Sequence, residues 1–225
     1  MSIKNREENV RLSKTFKNIC DLYLFSDKAV CDIGCGFGEY LRFFGAGSIG
    51  VTTTQEEVEY GKSNNLKIIF GNAEKIEGVF TKGEKFKAIW VNNLFEHLLS
   101  PHAFLMNLKK ISEPQAIVVL GVPVIPKIVS LTRFPWFRGT LASNHISFFT
   151  NKTLQLTVER AGWEVMAVRP FIFKNKYLDL LVRPFAPHLY VVAKNNVDFV
   201  YSAKKMKEWI LDEHYEGLLS ITKQK

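Results

Sequence analysis

Apolar positions along this chain change period repeatedly, from helical spacing to short continuous runs and back. Residues 8–25 place Val10, Leu12, Phe16, Ile19, Cys20 and Tyr23 at mostly helical spacing, which predicts an amphipathic N-terminal helix. Short apolar runs at 29–33, 48–52, 67–70 and 86–91 read as buried strands. Residues 116–122 read as a central buried strand, separated from the helix before it by Glu113-Pro114-Gln115 and ended by Pro123. Further strands are predicted at 164–169 and 189–194. Between them the pattern predicts helices at 38–45, ended by Gly45-Ala46-Gly47, at 55–62, and at 102–112. Thr54 is the expected N-cap of the second, with Glu56 and Glu57 in its first turn. Asn151 or Thr150 would cap a helix at 152–161, Pro184 would stop one at 174–183, and 200–212 would close the chain with Met206, Trp209 and Ile210 on one side. Strands alternating with helices point to the α/β class and a mostly parallel sheet.

Composition narrows this picture. The 225 residues are 47% hydrophobic, enough for one domain spanning 1–225. The longest apolar stretch, 116–131, is broken by Gly121, Pro123, Pro126 and Lys127, so no membrane-spanning segment is expected. The first residues lack the apolar core of a signal peptide, which favours a cytoplasmic protein. Cys20, Cys31 and Cys35 form an odd count with no zinc-like spacing, so neither a disulfide nor a metal site is expected. The net charge of +8 suits an acidic partner: nucleic acid, a phosphorylated metabolite or a membrane surface. The lysines are scattered, however, with the densest group at Lys204, Lys205 and Lys207, and no basic run interleaves with aromatics. A solvated basic face is therefore the preferred reading over nucleic-acid binding. The sequence leaves oligomerisation open.

The chemistry concentrates where strand 29–33 ends. Asp32 closes it, and Gly34, Gly36 and Gly38 follow at alternate positions before Glu39-Tyr40-Leu41. A glycine turn between a strand and a helix lets a ligand approach the backbone and frees N–H groups at the helix start. The spacing is neither the dinucleotide fingerprint nor a triphosphate loop. A plain tight turn is the alternative. Together with its strand and acid, this stretch resembles the first motif of the class I S-adenosylmethionine-dependent methyltransferases.

Other segments extend the resemblance over about residues 29–194. Gly50-Val51-Thr52-Thr53-Thr54-Gln55-Glu56-Glu57 is similar to the Gly-Val-Thr variant of the small-molecule, ubiquinone- and cyclopropane-synthase-like subgroup. That variant lacks the usual acid at Thr52; the resemblance implies that Glu57 contacts the ribose instead, while a first-turn glutamate favoured by the helix dipole explains it equally. Gly71-Asn72-Ala73-Glu74 looks like the loop that meets the adenine, through Asn72 and the Ala73 backbone, or it is simply a polar loop. Asn92-Asn93-Leu94-Phe95-Glu96-His97-Leu98 and Ser143-Asn144-His145-Ile146-Ser147-Phe148-Phe149-Thr150 resemble the family's later segments. The resemblance implies a Rossmann-like seven-stranded, mostly parallel sheet, helices on both faces and an antiparallel last strand. It also implies S-adenosylmethionine as cofactor, held by Asp32, Gly34, Cys35, Gly36, Gly38, Thr52, Thr53, Glu57, Asn72, Ala73, Glu74, Asn92 and Asn93. No Asn-Pro-Pro-Tyr-type motif follows the fourth strand, which weakens a role on DNA bases.

The expected reaction is O-methylation of a small or sugar-like acceptor. His145 is the first choice of base and His97 the second; His97 also has a structural alternative, bonded to a backbone carbonyl. The aromatic connection 123–149 would lie over the cofactor as a lid, or else as a packing flap or dimer contact. In it Trp136 would meet the acceptor, and Arg133 and Arg138 would meet an anionic group on it. C- or N-methylation, including of lipids, nucleic-acid methylation and a non-catalytic binding module remain alternatives.

Overall fold

The structure is a computed structural model that describes residues 2–81 and 83–210. Its centre is a sheet in the order β3-β2-β1-β4-β5-β8-β7, with a short β6 beside β5. The strands are β1 (Val30–Ile33), β2 (Ile49–Thr52), β3 (Ile68–Phe70), β4 (Phe86–Asn92), β5 (Ser112–Ile125), β6 (Phe149–Thr150), β7 (Trp163–Arg169) and β8 (His188–Asn195). β1 pairs in parallel with β2 on one side and β4 on the other. β8 runs antiparallel to both β5 and β7. This is the Rossmann-like arrangement expected, with a switch point between β1 and β4 where ligands of such sheets bind.

Both faces are covered, so alternate residues of the central strands enter different cores. Val30, Ala88, Trp90 and Val119 face the layer of α1 (Ile3–Leu12) and α2 (Lys14–Tyr23). Cys31, Ile33, Ile89, Val91, Val118 and Leu120 face that of α4 (Pro101–Lys110) and α5 (Asn151–Arg160). Trp90 is fully buried, ringed by Phe16, Phe25, Tyr40, Phe44 and Tyr190. The remaining helices are α3 (Gln55–Ser63), α6 (Lys176–Val182) and α7 (Ala203–Ile210). No helix among the described residues is long and apolar enough to cross a membrane.

Several elements depart from the sequence-based expectation. The single N-terminal helix is two, because Ser13 has extended backbone, ending α1 while its hydroxyl accepts the Phe16 N–H to start α2. No α-helix forms at 38–45: Gly38 has φ +80° and only one 3₁₀ turn follows, Leu41–Phe43. Gly45 then packs so closely on the Lys28 backbone that a Cβ would overlap it. The Thr54 side chain makes no cap; its N–H is taken by the Thr52 hydroxyl at 3.2 Å. Glu113, Pro114 and Gln115 lie inside β5, where the pairing with β4 shifts register and Gln115 has φ +66°. Pro123 does not end β5, which continues beside His188 of β8 and, at Val124, beside Phe149 of β6. Thr150, not Asn151, caps α5, exchanging hydrogen bonds with Thr153. The side chains of Met206, Trp209 and Ile210, and residues 211–212, lie outside those described.

Phe16 is the ring that fastens α2 to the sheet, with centroids 5.1–5.8 Å from Tyr40, Phe43, Phe44 and Trp90. Phe16→Ala is expected to lower stability by about 3–5 kcal/mol, read as a shift of the urea midpoint at unchanged slope.

Candidate active site

At the end of β1 the chain turns on Gly34, Gly36 and Gly38, all with positive φ (77°, 56° and 80°). Gly34 N–H and Cys35 N–H both turn back onto the Val51 carbonyl, at 2.9 and 3.1 Å. A Cβ at Gly36 would lie 3.0 Å from a Glu39 carboxylate oxygen. The turn therefore offers bare glycine backbone, and the helix N-terminus expected behind it is absent.

This turn floors a cleft of about 780 Å³ at the switch point. Gly34, Gly36, Thr52, Thr53, Glu57 and Ala73, all among the expected cofactor contacts, line it. The hydroxyl of Thr52 donates to the Glu57 carboxylate, joining the two positions paired in the sequence reading. Arg6, Leu94 and Asn144 also stand in the wall and were not foreseen. Arg6 belongs to a polar helix with nothing distinctive in its pattern; an ion pair with Glu39 at 3.4 Å, and another between Glu7 and Arg42 at 3.0 Å, hold that helix over the turn.

The other predicted contacts are not in the wall of this cleft. Asp32 is 1% exposed beneath the turn, with one carboxylate oxygen unpartnered. Burial, reinforced by the charge of Glu39, pushes its carboxyl well above the usual range. The Cys35 thiol is buried against Gly50, and burial pushes its pKa up. Gly38 packs on Leu66 and Ile68. Asn72 is exposed, and its side-chain oxygen accepts the Glu74 N–H at 2.9 Å; the Glu74 carboxylate accepts the Leu99 N–H at 2.6 Å. Asn92 donates to the Tyr40 hydroxyl at 3.0 Å.

A second cavity, of about 330 Å³, adjoins the first and is walled by Asn93, Glu96, His97, Trp136, His145 and His188, among others. His97 lines both cavities. Two contacts hold this partition. The Glu96 carbonyl accepts the N–H groups of Ile146 and Ser147, both at 2.9 Å, and His97 Nδ1 lies 3.0 Å from the Asn144 carbonyl. A carbonyl only accepts, so His97 Nδ1 carries the hydrogen and, in the neutral ring, Nε2 presents its lone pair. The backbone-bonded histidine and the site histidine are thus one arrangement.

His145 sits edge-on to His97, with ring centroids 4.8 Å apart. Burial, then the neighbouring His97, holds its pKa below the ordinary imidazole value. Between them lies the Glu96 carboxylate, 3.9 Å from His97 Nε2 and 4.0 Å from His145 Nε2; its pKa is raised by burial. These three side chains are the one His/Cys/Asp/Glu group among the described residues with ligand atoms close together, all within 4.8 Å. Tetrahedral ligands of a metal bound at about 2.1 Å would stand roughly 3.4 Å apart, closer than either carboxylate–imidazole separation here. His188 Nε2 lies 2.8 Å from the Asn93 amide oxygen, and burial pushes its pKa down to about 4. Of the three predicted acceptor contacts, Trp136 is in this wall; Arg133 is exposed and outside it, and the Arg138 side chain is not among those described.

Comparison with known proteins agrees with this architecture. Residues 5–168 match the model of a family described as "Methyltransferase domain". A stretch of 104 residues is 30% identical to the ubiquinone biosynthesis O-methyltransferase of Bartonella tribocorum, covering 43% of this chain and 42% of the relative. The fold is shared with a chain in the complex of the Haloferax volcanii Trm112 methyltransferase activator with a methyltransferase (TM-score 0.63, 15% identity, 87% of this chain and 95% of the other). It is shared also with an S-adenosylmethionine-dependent methyltransferase of Mesorhizobium loti (TM-score 0.60, 12% identity, 83% and 100%). With a family match over most of its length and a sheet of matching fold, the chain belongs to the methyltransferase-domain family and carries the fold of S-adenosylmethionine-dependent methyltransferases.

Proposed function

We propose that this protein methylates an oxygen of a small acceptor, bound in the cavity of His97, His145 and His188, with the cofactor in the cleft of Gly34, Gly36 and Glu57. The observation that carries the proposal is that His97 lines both cavities and so stands where cofactor and acceptor meet. The relative's O-methyltransferase name and the Gly-Val-Thr stretch support oxygen as the acceptor atom and the small-molecule subgroup.

The cleft suits the cofactor. Its glycines leave backbone uncovered for the methionine end, and Thr52 holds one oxygen of Glu57 while the carboxylate keeps capacity to accept ribose hydroxyls. Ala73 and the Asn72 turn lie at the adenine side in this proposal. When bound, S-adenosylmethionine supplies a methyl group already activated on a sulfonium. The residues around it then need to orient the acceptor and receive its proton. His97 is the better placed of the two histidines for that, which reverses their order in the sequence reading. Its Nδ1 is taken by the Asn144 carbonyl, which leaves Nε2 as the basic nitrogen, 3.9 Å from the Glu96 carboxylate and with the His145 ring beside it. An anionic acceptor would find imidazoles, the Asn93 amide and Thr140, together with the Glu96 carboxylate, rather than Arg133 in the described wall.

His97→Ala is expected to lower methyl transfer by about 10²-fold, and His145→Ala by about tenfold, with S-adenosylhomocysteine affinity held within about threefold. The readout is release of S-adenosylhomocysteine on a panel of phenols, polyols and phosphorylated sugars. Unchanged turnover in His97→Ala would remove it as the base. Turnover restricted to amine acceptors would move the reading to N-methylation.

Glu57→Ala is expected to weaken S-adenosylhomocysteine binding about tenfold by calorimetry, as loss of a hydrogen-bonded carboxylate implies. Unaltered affinity would leave Glu57 with its helix-dipole role alone.

A further inference from the structure

Helix α6 is inside out. Its one buried residue is Asp179, at 0% exposure, while Tyr177, Leu178, Leu180 and Leu181 face outward, Leu181 at 71%. A surface helix ordinarily buries its apolar stripe and exposes its polar one. Here the attachment is polar instead. Asp179 accepts Arg169 Nη1 at 2.8 Å and the Phe173 N–H at 2.9 Å, and Arg169 also donates to the Phe173 carbonyl at 3.2 Å. A buried ion pair thus holds the helix down while its leucines point away from the protein.

The connection 127–148 does the same. Ile128, Val129, Phe134 and Leu141 are exposed, and so is Trp136, at 62%, its ring stacked on that of Phe134. The two segments leave one edge of the sheet. Pro123 of β5 pairs with His188 of β8, so the chain leaving β5 and the chain entering β8 are adjacent. Trp136 and Gly139 of one segment and Pro187 of the other wall the same cavity. Trp136 thus joins the exposed apolar side chains of the connection to the acceptor cavity, and α6 leads through Pro187 into the same wall, a concentration of uncovered apolar groups that a soluble monomer rarely shows.

Charge selects what covers this face. Residues 127–148 contain Lys127, Arg133 and Arg138 and no Asp or Glu. Residues 172–187 contain Lys174, Lys176 and Arg183, and their one acid is the buried, paired Asp179. Lys174 meets Asp21, an exposed acid of α2, at 2.6 Å. A second copy presenting the same face would set cation against cation. Apolar and aromatic side chains rimmed by lysine and arginine, with no exposed acid in either segment and Asp21 of α2 paired to Lys174, match an interfacial membrane surface.

We propose that α6 and the connection 127–148 form a docking face for an anionic lipid bilayer, which places the acceptor mouth at the membrane surface. The leucines and Trp136 enter the boundary between headgroups and acyl chains, and the basic side chains meet the phosphates. Docking of this kind requires no membrane-spanning helix.

The test is flotation of the whole chain with vesicles of phosphatidylcholine and phosphatidylglycerol in equal parts, and with vesicles of phosphatidylcholine alone. Binding to the mixed vesicles is expected to be at least about tenfold stronger and to fall with added salt. Leu178→Ser/Leu181→Ser, both exposed, should reduce that binding about tenfold or more while the thermal midpoint stays within a few degrees. Failure to bind the mixed vesicles, or equal binding by the double variant, would overturn the proposal. So would a dimer in sedimentation that the same variant dissociates, since a second copy would then cover the face. The measurement reads no catalysis and stands apart from the assignment of the reaction.

Discussion

The site depends on β1 being paired in parallel on both edges. The chain leaves β1 toward β2 and β3, then returns to the other side for β4 and β5. Crossovers departing in opposite directions leave a crevice above the carboxyl end of β1, and the glycine turn is the floor of that crevice. Because β1 is buried on both faces, its residues serve either core, and even its terminal acid, Asp32, is drawn beneath the turn. What reaches the ligand space is the backbone of Gly34 and Gly36, with side chains supplied from β2, α3, α1 and the segment after β4.

A second constraint divides this space. The Glu96 carbonyl holds Ile146 and Ser147, and His97 holds Asn144, so two segments about fifty residues apart in sequence become one wall. The wall has the glycine-floored cleft on one side and the histidine-lined cavity on the other. A buried carboxylate stands between two imidazoles, and desolvation raises the first while depressing His145, so both are driven toward their uncharged forms. For His97 a backbone carbonyl decides which ring nitrogen carries the hydrogen.

Farther out, the same sheet edge carries a helix held by an ion pair and a connection rich in uncovered rings. The buried attachment of that helix is the Arg169–Asp179 pair, and its own apolar side chains are exposed. This frees its leucines for another medium.

By itself the sequence determined the class of fold, most strand positions and the glycine, Gly-Val-Thr and Glu-His segments, because each is a local pattern of burial period or turn chemistry. Through the Gly-Val-Thr resemblance it also singled out Glu57 five residues after Thr52, and the two side chains meet. It misread 38–45 as a helix and 113–115 as a break, where tertiary contacts override propensity: Gly45 must close on Lys28, and the bulge at Gln115 lets β5 continue. It selected Asp32, Cys35 and Asn72 by position in a motif, yet burial and capping decide what a side chain can touch. Arg6 and Asn144 joined the cleft, and Glu96 came between two histidines, only when distant segments were brought together. Which face of α6 is outward was likewise undecidable from its period, because a buried Arg169–Asp179 pair turns the expected amphipathic reading around.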